Sequence, residues 1–329
     1  MSSKEMILSM LEEHRGTSVS GETLAGRLGV SRAAVWKAIE ELRKEGHLIH
    51  ATPRLGYSLS IASDILSEQG IRSHLRHADC LIRYVQQVDS TNLFAKRLAL
   101  DSCEHGTIVV AGEQTSGRGR NGRSFFSPSQ TGIYMSIVLK PSMDAMVAIR
   151  CTSAAALAVC RAIEDVCNIS TQIKWVNDII VNNKKVCGIL TEGMAGLETG
   201  KIEYVILGIG VNVSTAPASF PPDVAQVATS LYDGVLPKGI TRNRLIASIT
   251  DHVLEIMEEV SSMNFLGEYR QRSIVLNREV EVSQGSVNYR AVATDIDDEG
   301  ALVVRLRDGS LRRLNSGEIT LRPAGSEHW

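Results

Sequence analysis

Apolar positions change their spacing along the chain, and each change marks a different kind of structure. Near the start, Ile7, Met10 and Leu11 recur at helical spacing. Ser20 then opens a short segment in which Leu24 and Leu28 share a face before Gly29 ends it. Ser31 caps a third helix, with Ala34, Val35, Ala38, Ile39 and Leu42 on its inner side and Arg32, Ala33, Trp36, Lys37 and Glu40 on its outer side, and Gly46 closes it. From 47 to 60 apolar and polar residues alternate around Pro53 and Gly56, the pattern of a two-stranded wing. Two helices joined through Gly29 and Val30 and followed by such a ribbon predict a winged helix-turn-helix.

Periodicity is weak from 61 to 67, where a boundary is expected, and beyond it strand and helix patterns intermingle. Strands are predicted over 81–88, 107–111, 132–139, 172–175, 179–181, 186–191 and 204–213, and helices over 91–99, 148–166, 241–260 and 265–272. Hairpin-like neighbours with segregated helices predict the α+β class with a mixed sheet, not a doubly wound parallel one. Gly208 and Gly210 open no helix in a βαβ unit, so a dinucleotide fingerprint is not indicated. Short strands at 279–282, 289–295, 301–305 and 310–314, separated by turns at Gly285, Gly300 and Gly309, predict a small antiparallel barrel of the SH3-like sort. The expected division is a winged helix over 1–62, a central domain over 68–273 and the small barrel over 274–329.

A length of 329 residues suits two or three domains. The formal charge of −2 gives no global attraction to nucleic acid or anionic membrane, so any DNA contact must come from a local surface. No apolar run reaches the ~18–20 residues of a membrane span, and the first residues lack a secretory signal's apolar stretch, so a cytoplasmic location without membrane contact is expected. Cys80, Cys103, Cys151, Cys160, Cys167 and Cys187 form no C-x-x-C pair, which points to neither a zinc site nor a disulfide framework.

The densest chemistry lies between Glu113 and Pro128, where Arg118, Arg120 and Arg123 alternate with Gly117, Gly119 and Gly122. A permissive backbone carrying three guanidinium groups can close around an anion, because guanidinium matches phosphate and carboxylate oxygens two at a time. An arginine–glycine tract for nucleic acid is the competing reading of the loop alone. Farther along stand Lys174-Trp-Val-Asn-Asp178, Lys185-Val-Cys-Gly188 and Gly208-Ile-Gly-Val-Asn212, each on or beside a strand-like run. Together with the Arg/Gly loop these motifs resemble the biotin protein ligases from about Asp89 to Arg322, and the N-terminal segment, Ser31 to Ala34 included, is similar to that of the bifunctional ligase/repressor members.

That resemblance implies ATP-dependent activation of biotin to biotinyl-adenylate and transfer to a lysine of a biotin carboxyl carrier domain, with Mg2+ on the ATP phosphates and no metal held by side chains. It implies catalytic roles for Lys185, Arg118, Arg120, Arg123 and Asp178. Biotin contacts fall to Ser90, Thr91, Asn92, Gln114, Gly117, Arg118, Gly119, Arg120, Lys185, Gly188 and Gly208, and adenylate contacts to Phe125, Asn177, Asn212 and Arg322. Asp178 is either a base for the incoming amine or a structural partner of the loop. Many relatives have Pro where this chain has Val176, and often Trp where it has Phe125. Arg32, Ala33, Trp36, Lys37 and, at the wing tip, Arg54 are the expected contacts to operator DNA, unless Trp36 packs on the wing or the bundle serves dimerisation instead. Glu40, Glu41 and Glu45 offset the basic residues of the third helix, so one copy binds DNA weakly and a ligand-promoted homodimer is expected. A lipoate-activating enzyme of the same fold and a non-enzymatic ligand-sensing repressor are the alternatives.

Overall fold

The computed structural model describes residues 2–140, 147–195, 202–284, 287–315 and 317–321. Its N-terminal part consists of α1 (Ser3–Glu13), α2 (Gly21–Leu28) and α3 (Arg32–Lys44), then the antiparallel hairpin β1 (Ile49–Thr52) and β2 (Gly56–Leu59). The starts of α2 and α3 are each capped by a serine hydroxyl: Ser20 Oγ accepts from Thr23 N at 2.9 Å and Ser31 Oγ from Ala34 N at 3.2 Å. Gly29 ends α2 at φ 62°, a left-handed conformation that disfavours residues with a Cβ. Ile7, Leu11, Leu24, Ile39, Leu42 and Leu59 are fully buried in a small core of their own. The winged helix-turn-helix expected from the spacing is present.

The central part runs α4 (Glu68–Arg72), β3 (Ile82–Val88), α5 (Thr91–Leu100), β4 (Thr107–Gln114), β5 (Gly132–Leu139), α6 (Val147–Cys167), β6 (Gln172–Lys174), β7 (Asp178–Val181), β8 (Lys184–Ala195), β9 (Ile202–Asn212), α7 (Pro222–Ala225), α8 (Arg242–Glu258) and α9 (Leu266–Arg272). Its seven strands lie in the order β3-β4-β5-β9-β8-β7-β6; β3 and β4 are parallel and the other pairs antiparallel, giving the expected mixed sheet. One face carries α6 and α8 over Ile133, Ile137, Leu207 and Ile209. On the other, Ala95 and Ala99 of α5 pack on Val109, Val138 and Ile206. Residues of β5 and β9 therefore alternate between two apolar layers, as period-two geometry requires.

The C-terminal part, β10 (Arg278–Gln284), β11 (Val287–Ile296), β12 (Leu302–Arg305), β13 (Leu311–Leu314) and β14 (Glu318–Leu321), is an antiparallel sheet ordered β13-β12-β11-β10-β14. A ladder joining β13 to β14, which would close the expected barrel, is absent among the described residues. Strand β14 and helix α4 escaped the sequence pattern because each is only a few residues long. Among the described residues no helix is long and apolar enough to cross a membrane.

The stretch 61–67 is pinned and not a free connector. Asp64 accepts from Arg242 N and Nε, both at 2.7 Å, and Asn243 Oδ1 accepts from Ser67 N at 3.2 Å. Arg15, just beyond α1, donates to the carbonyls of Ser60 and Ser63 at 3.0 and 2.8 Å. Arg242 is only 3 % exposed, so removing its carboxylate strands a buried charge. Asp64→Ala is expected to cost about 3–5 kcal/mol in urea unfolding. Lys4→Ala, which breaks the more exposed Lys4–Glu45 pair, is expected to cost less than about 1 kcal/mol.

Candidate active site

The Arg/Gly loop is the connection between β4 and β5, and it folds back on itself. Gly119 N donates to Arg123 O at 2.7 Å and Phe125 N to Gly117 O at 2.9 Å, with Asn121 at φ 55° and Gly122 at φ 74° in the turn between. The loop closes over the sheet face that carries α5. Between them lies a cleft partly open to solvent.

Its floor follows from strand register. Gly188 of β8 sits opposite Gly210 of β9, Gly210 opposite Tyr134, and Gly208 opposite Ser136 of β5. Two of these glycines leave room for particular side chains. A Cβ at Gly208 would fall 2.2 Å from Asn92 Oδ1, and one at Gly210 would fall 2.6 Å from the Phe125 ring. Phe125 stands edge-on to Tyr134, ring centroids 6.4 Å apart.

Lys185 reaches this face through an irregularity. Ile180 pairs with Lys185 but Ile179 pairs with Cys187, so Val186 is an extra residue in β8. Without such a bulge Lys185 and Gly188 would point to opposite faces; with it both line the cleft, while Val186 and Cys187 enter the core. Lys184 turns away and donates to Ala225 O at 3.0 Å.

Every loop arginine has an internal acceptor. Arg120 donates to Asn177 Oδ1 at 2.9 Å and to Gly317 O at 3.2 Å, and Arg123 pairs with Glu318 at 2.6 Å. Arg118 lies 3.5 Å from Glu192, and Lys185 Nζ is 2.6 Å from Asp178. Asn177 in turn donates to Ile189 O at 2.8 Å. The Trp175–Val176 peptide bond before it is cis. Burial pushes the Lys174 ammonium below its usual range, against the pull of Asp178.

At the other end, Thr91 N donates to Gln114 Oε1 at 2.8 Å and Gln114 Nε2 to Ser127 Oγ at 2.9 Å. Ser136 Oγ donates to Asn92 Oδ1 at 2.6 Å, and Asn92 Nδ2 donates to Glu192 Oε2 at 2.8 Å. Burial opposes ionisation of Glu192, but hydrogen bonds from Lys96 and Asn92 outweigh it and hold the carboxyl below the usual range.

Of the residues singled out in the sequence, Ser90, Thr91, Asn92, Gln114, Arg118, Gly119, Arg120, Arg123, Phe125, Asn177, Asp178, Lys185, Gly188 and Gly208 line one cleft. Gly117 lies behind it, against Phe125 O and Ser127. Asn212 follows Gly208 and Gly210 on the same face of β9, at the margin of the residues that line the cleft, and its amide donates to Thr229 O at 3.1 Å. Arg322 lies outside the described residues. Sequence reading missed Glu192, Gly317 and Glu318. The period-two row Gly188, Leu190, Glu192 was the available signal for Glu192, whereas Gly317 and Glu318 arrive from another sheet and leave no local trace.

On the N-terminal module, Arg32, Ala33, Lys37 and Arg54 are exposed, and Trp36 at 59 % exposure stands in solvent, so packing on the wing is not its role.

The model of the biotin/lipoate A/B protein ligase family matches residues 84–212, an HTH domain model matches 4–58, and the biotin protein ligase C-terminal domain matches 275–322. The bifunctional ligase/repressor BirA of Bacillus subtilis is 36 % identical over 96 % of this chain and 97 % of its own length. The chain belongs to the biotin protein ligase family. The BirA of Escherichia coli is 28 % identical over 93 % of both chains. Among solved structures, the biotin protein ligase from Aquifex aeolicus in complex with biotin and ATP superposes with a TM-score of 0.61 at 26 % identity, covering 74 % of this chain and 99 % of that one. Its lower coverage of this chain contrasts with the near-complete coverage by the bifunctional members of the family.

Overpacking at the floor has a direct readout. Gly208→Ala is expected to displace Asn92 from Ser136 and to cost about 1–3 kcal/mol in chemical unfolding, with the moved side chain visible in a crystal structure of the variant.

Proposed function

We propose that this chain condenses biotin with ATP to biotinyl-adenylate, passes the acyl group to a lysine of a biotin carboxyl carrier domain, and represses transcription when loaded with the adenylate. The observation that carries this reading is the convergence of Arg118, Arg120, Arg123 and Lys185 on one cleft, in a chain matched along nearly its whole length by bifunctional ligase/repressors. Those cations speak against a sensor that has lost its chemistry. The N-terminal winged helix favours the repressor branch over a lipoate ligase. All six cysteines are free, which suits a reducing cytoplasm.

In the first step the biotin carboxylate attacks the α-phosphate and pyrophosphate leaves. Two anions must meet, and their approach is made possible by cations aimed at both. In this reading Lys185 and Arg118 take the reacting carboxylate and the α-phosphate, and Arg120 and Arg123 take phosphate oxygens in exchange for Asn177, Gly317 and Glu318. Phe125 covers the nucleotide, and Asn177, once released by Arg120, is available to the adenine edge. Among the described residues no group of three His, Cys, Asp or Glu side chains forms a metal site. Magnesium bound to the triphosphate would supply charge neutralisation there.

In the second step a lysine amine attacks the acyl carbon and AMP leaves. With an unperturbed lysine pKa of about 10.4, few amines are neutral near pH 7. Asp178, freed from Lys185 as that lysine turns to the ligand, is placed to orient the amine or take its proton.

Ordering of the loop by the adenylate would favour a homodimer that presents two α3 helices to a two-fold operator, with Arg32, Ala33, Trp36, Lys37 and Arg54 at the DNA.

Replacing Arg118 and Arg120 together by Ala is expected to lower biotin-dependent pyrophosphate exchange by at least about 100-fold. An unchanged rate would remove the catalytic role of the loop. In a gel-shift assay, an operator fragment is expected to be retarded only when biotin and ATP are both present. Equal retardation without them would break the link between ligand and DNA.

A further inference from the structure

Among the described residues, Glu192 is the acidic side chain that touches both the α5 end of the cleft and the Arg/Gly loop. Building on the biotin reading above, we propose that it is a positioning residue: it fixes which pole of the Asn92 amide faces the ligand, and it keeps Arg118 near the cleft without capturing it.

An ionised carboxylate only accepts hydrogen bonds. The Asn92 atom 2.8 Å from Glu192 Oε2 is therefore the amide nitrogen, and the oxygen is left to Ser136 Oγ at 2.6 Å. That oxygen lies directly over Gly208, where a Cβ would come within 2.2 Å of it. The floor of the cleft thus presents an acceptor. A cyclic urea offers N–H donors to such a group, whereas a dithiolane ring offers none, so the fixed amide favours biotin over an acid with a sulfur-only head.

The same carboxylate is neutralised from the other side. Lys96 Nζ binds Glu192 Oε1 at 2.6 Å, while Arg118 stands at 3.5 Å from that oxygen. With Lys96 satisfying the charge, Arg118 is held by attraction over distance and not by a close bond, and an incoming carboxylate or phosphate can take it without leaving Glu192 unpaired.

The test compares wild type, Glu192→Gln, Asn92→Asp and the double variant in steady-state pyrophosphate exchange. Glu192→Gln is expected to raise KM for biotin by about tenfold or more, with KM for ATP changed by less than about twofold. Asn92→Asp puts two carboxylates together and is expected to raise it further. In the double variant the new amide at position 192 donates to the new carboxylate at position 92, which keeps an oxygen toward Ser136. Its KM for biotin is expected to return to within about threefold of wild type. This rescue also reads out should either single variant fold poorly. A wild-type KM in Glu192→Gln, a loss shared equally by ATP, or a double variant no better than the worse single variant would overturn the proposal. Absence of biotin-dependent exchange in the wild type would instead overturn the function on which it rests.

Discussion

The molecule must keep four cations together in one cleft while no anion is bound there. At water-like dielectric each close pair of like charges costs about 1 kcal/mol, and more where solvent is excluded. The fold meets this by giving each cation an internal acceptor: Asp178 for Lys185, Glu318 for Arg123, Asn177 and Gly317 for Arg120, Glu192 for Arg118. Most of these partners are partly exposed, so the pairs are weak and exchangeable. Phosphate and carboxylate oxygens can replace them without rebuilding the site. Under the proposed function, the same side chains would serve the fold and the reaction in alternation.

Such an exchange works only if the sheet beneath is fixed. The extra residue in β8 turns Lys185 toward the cleft while Cys187 stays in the core, and Gly188, Gly208 and Gly210 leave the floor low enough for Asn92 and Phe125 to lie on it. A Cβ at Gly208 or Gly210 would collide with Asn92 or Phe125, and one at Gly188 would press on Lys185. The rigid part of the site is thus made by small residues in register, and its charged part by a loop that depends on them.

These two parts were not equally legible in the sequence. The helices of the winged module announce themselves through capping serines and apolar spacing, and β5 was bounded to the residue because Thr131-Gly132 and Lys140 punctuate an unbroken apolar run. The charged loop was conspicuous for the same reason: three arginines in a short glycine-rich segment have no core role. What escaped was tertiary. Nothing near Glu192 predicts Lys96 and Asn92, 96 and 100 residues away, and nothing near Arg123 predicts Glu318, 195 residues away. The hydrogen bond from the Asn212 amide to Thr229 O likewise leaves no local trace. The stretch 61–67 looked like a linker because its few apolar residues lack a period, whereas its order comes from Asp64 on a buried arginine.

That arginine also bears on how the two ends of the molecule communicate. The Arg/Gly loop ends at Gly132, the first residue of β5, and the Gly132 carbonyl accepts from Arg242 Nη1 at 3.4 Å. Arg242 grips Asp64 through its backbone and side chain, and Asp64 directly follows the segment whose carbonyls hold Arg15, just beyond α1. Proximity of this kind does not by itself transmit anything; coupling requires an element with two arrangements that both sites bias. Under the proposed function the loop would be that element, exchanging internal acceptors for ligand oxygens while its C-terminal end stays fastened to Arg242 at Gly132. On that reading, a ligand that orders the loop would act on a segment joined through Arg242 and Asp64 to the stretch that holds the winged helix.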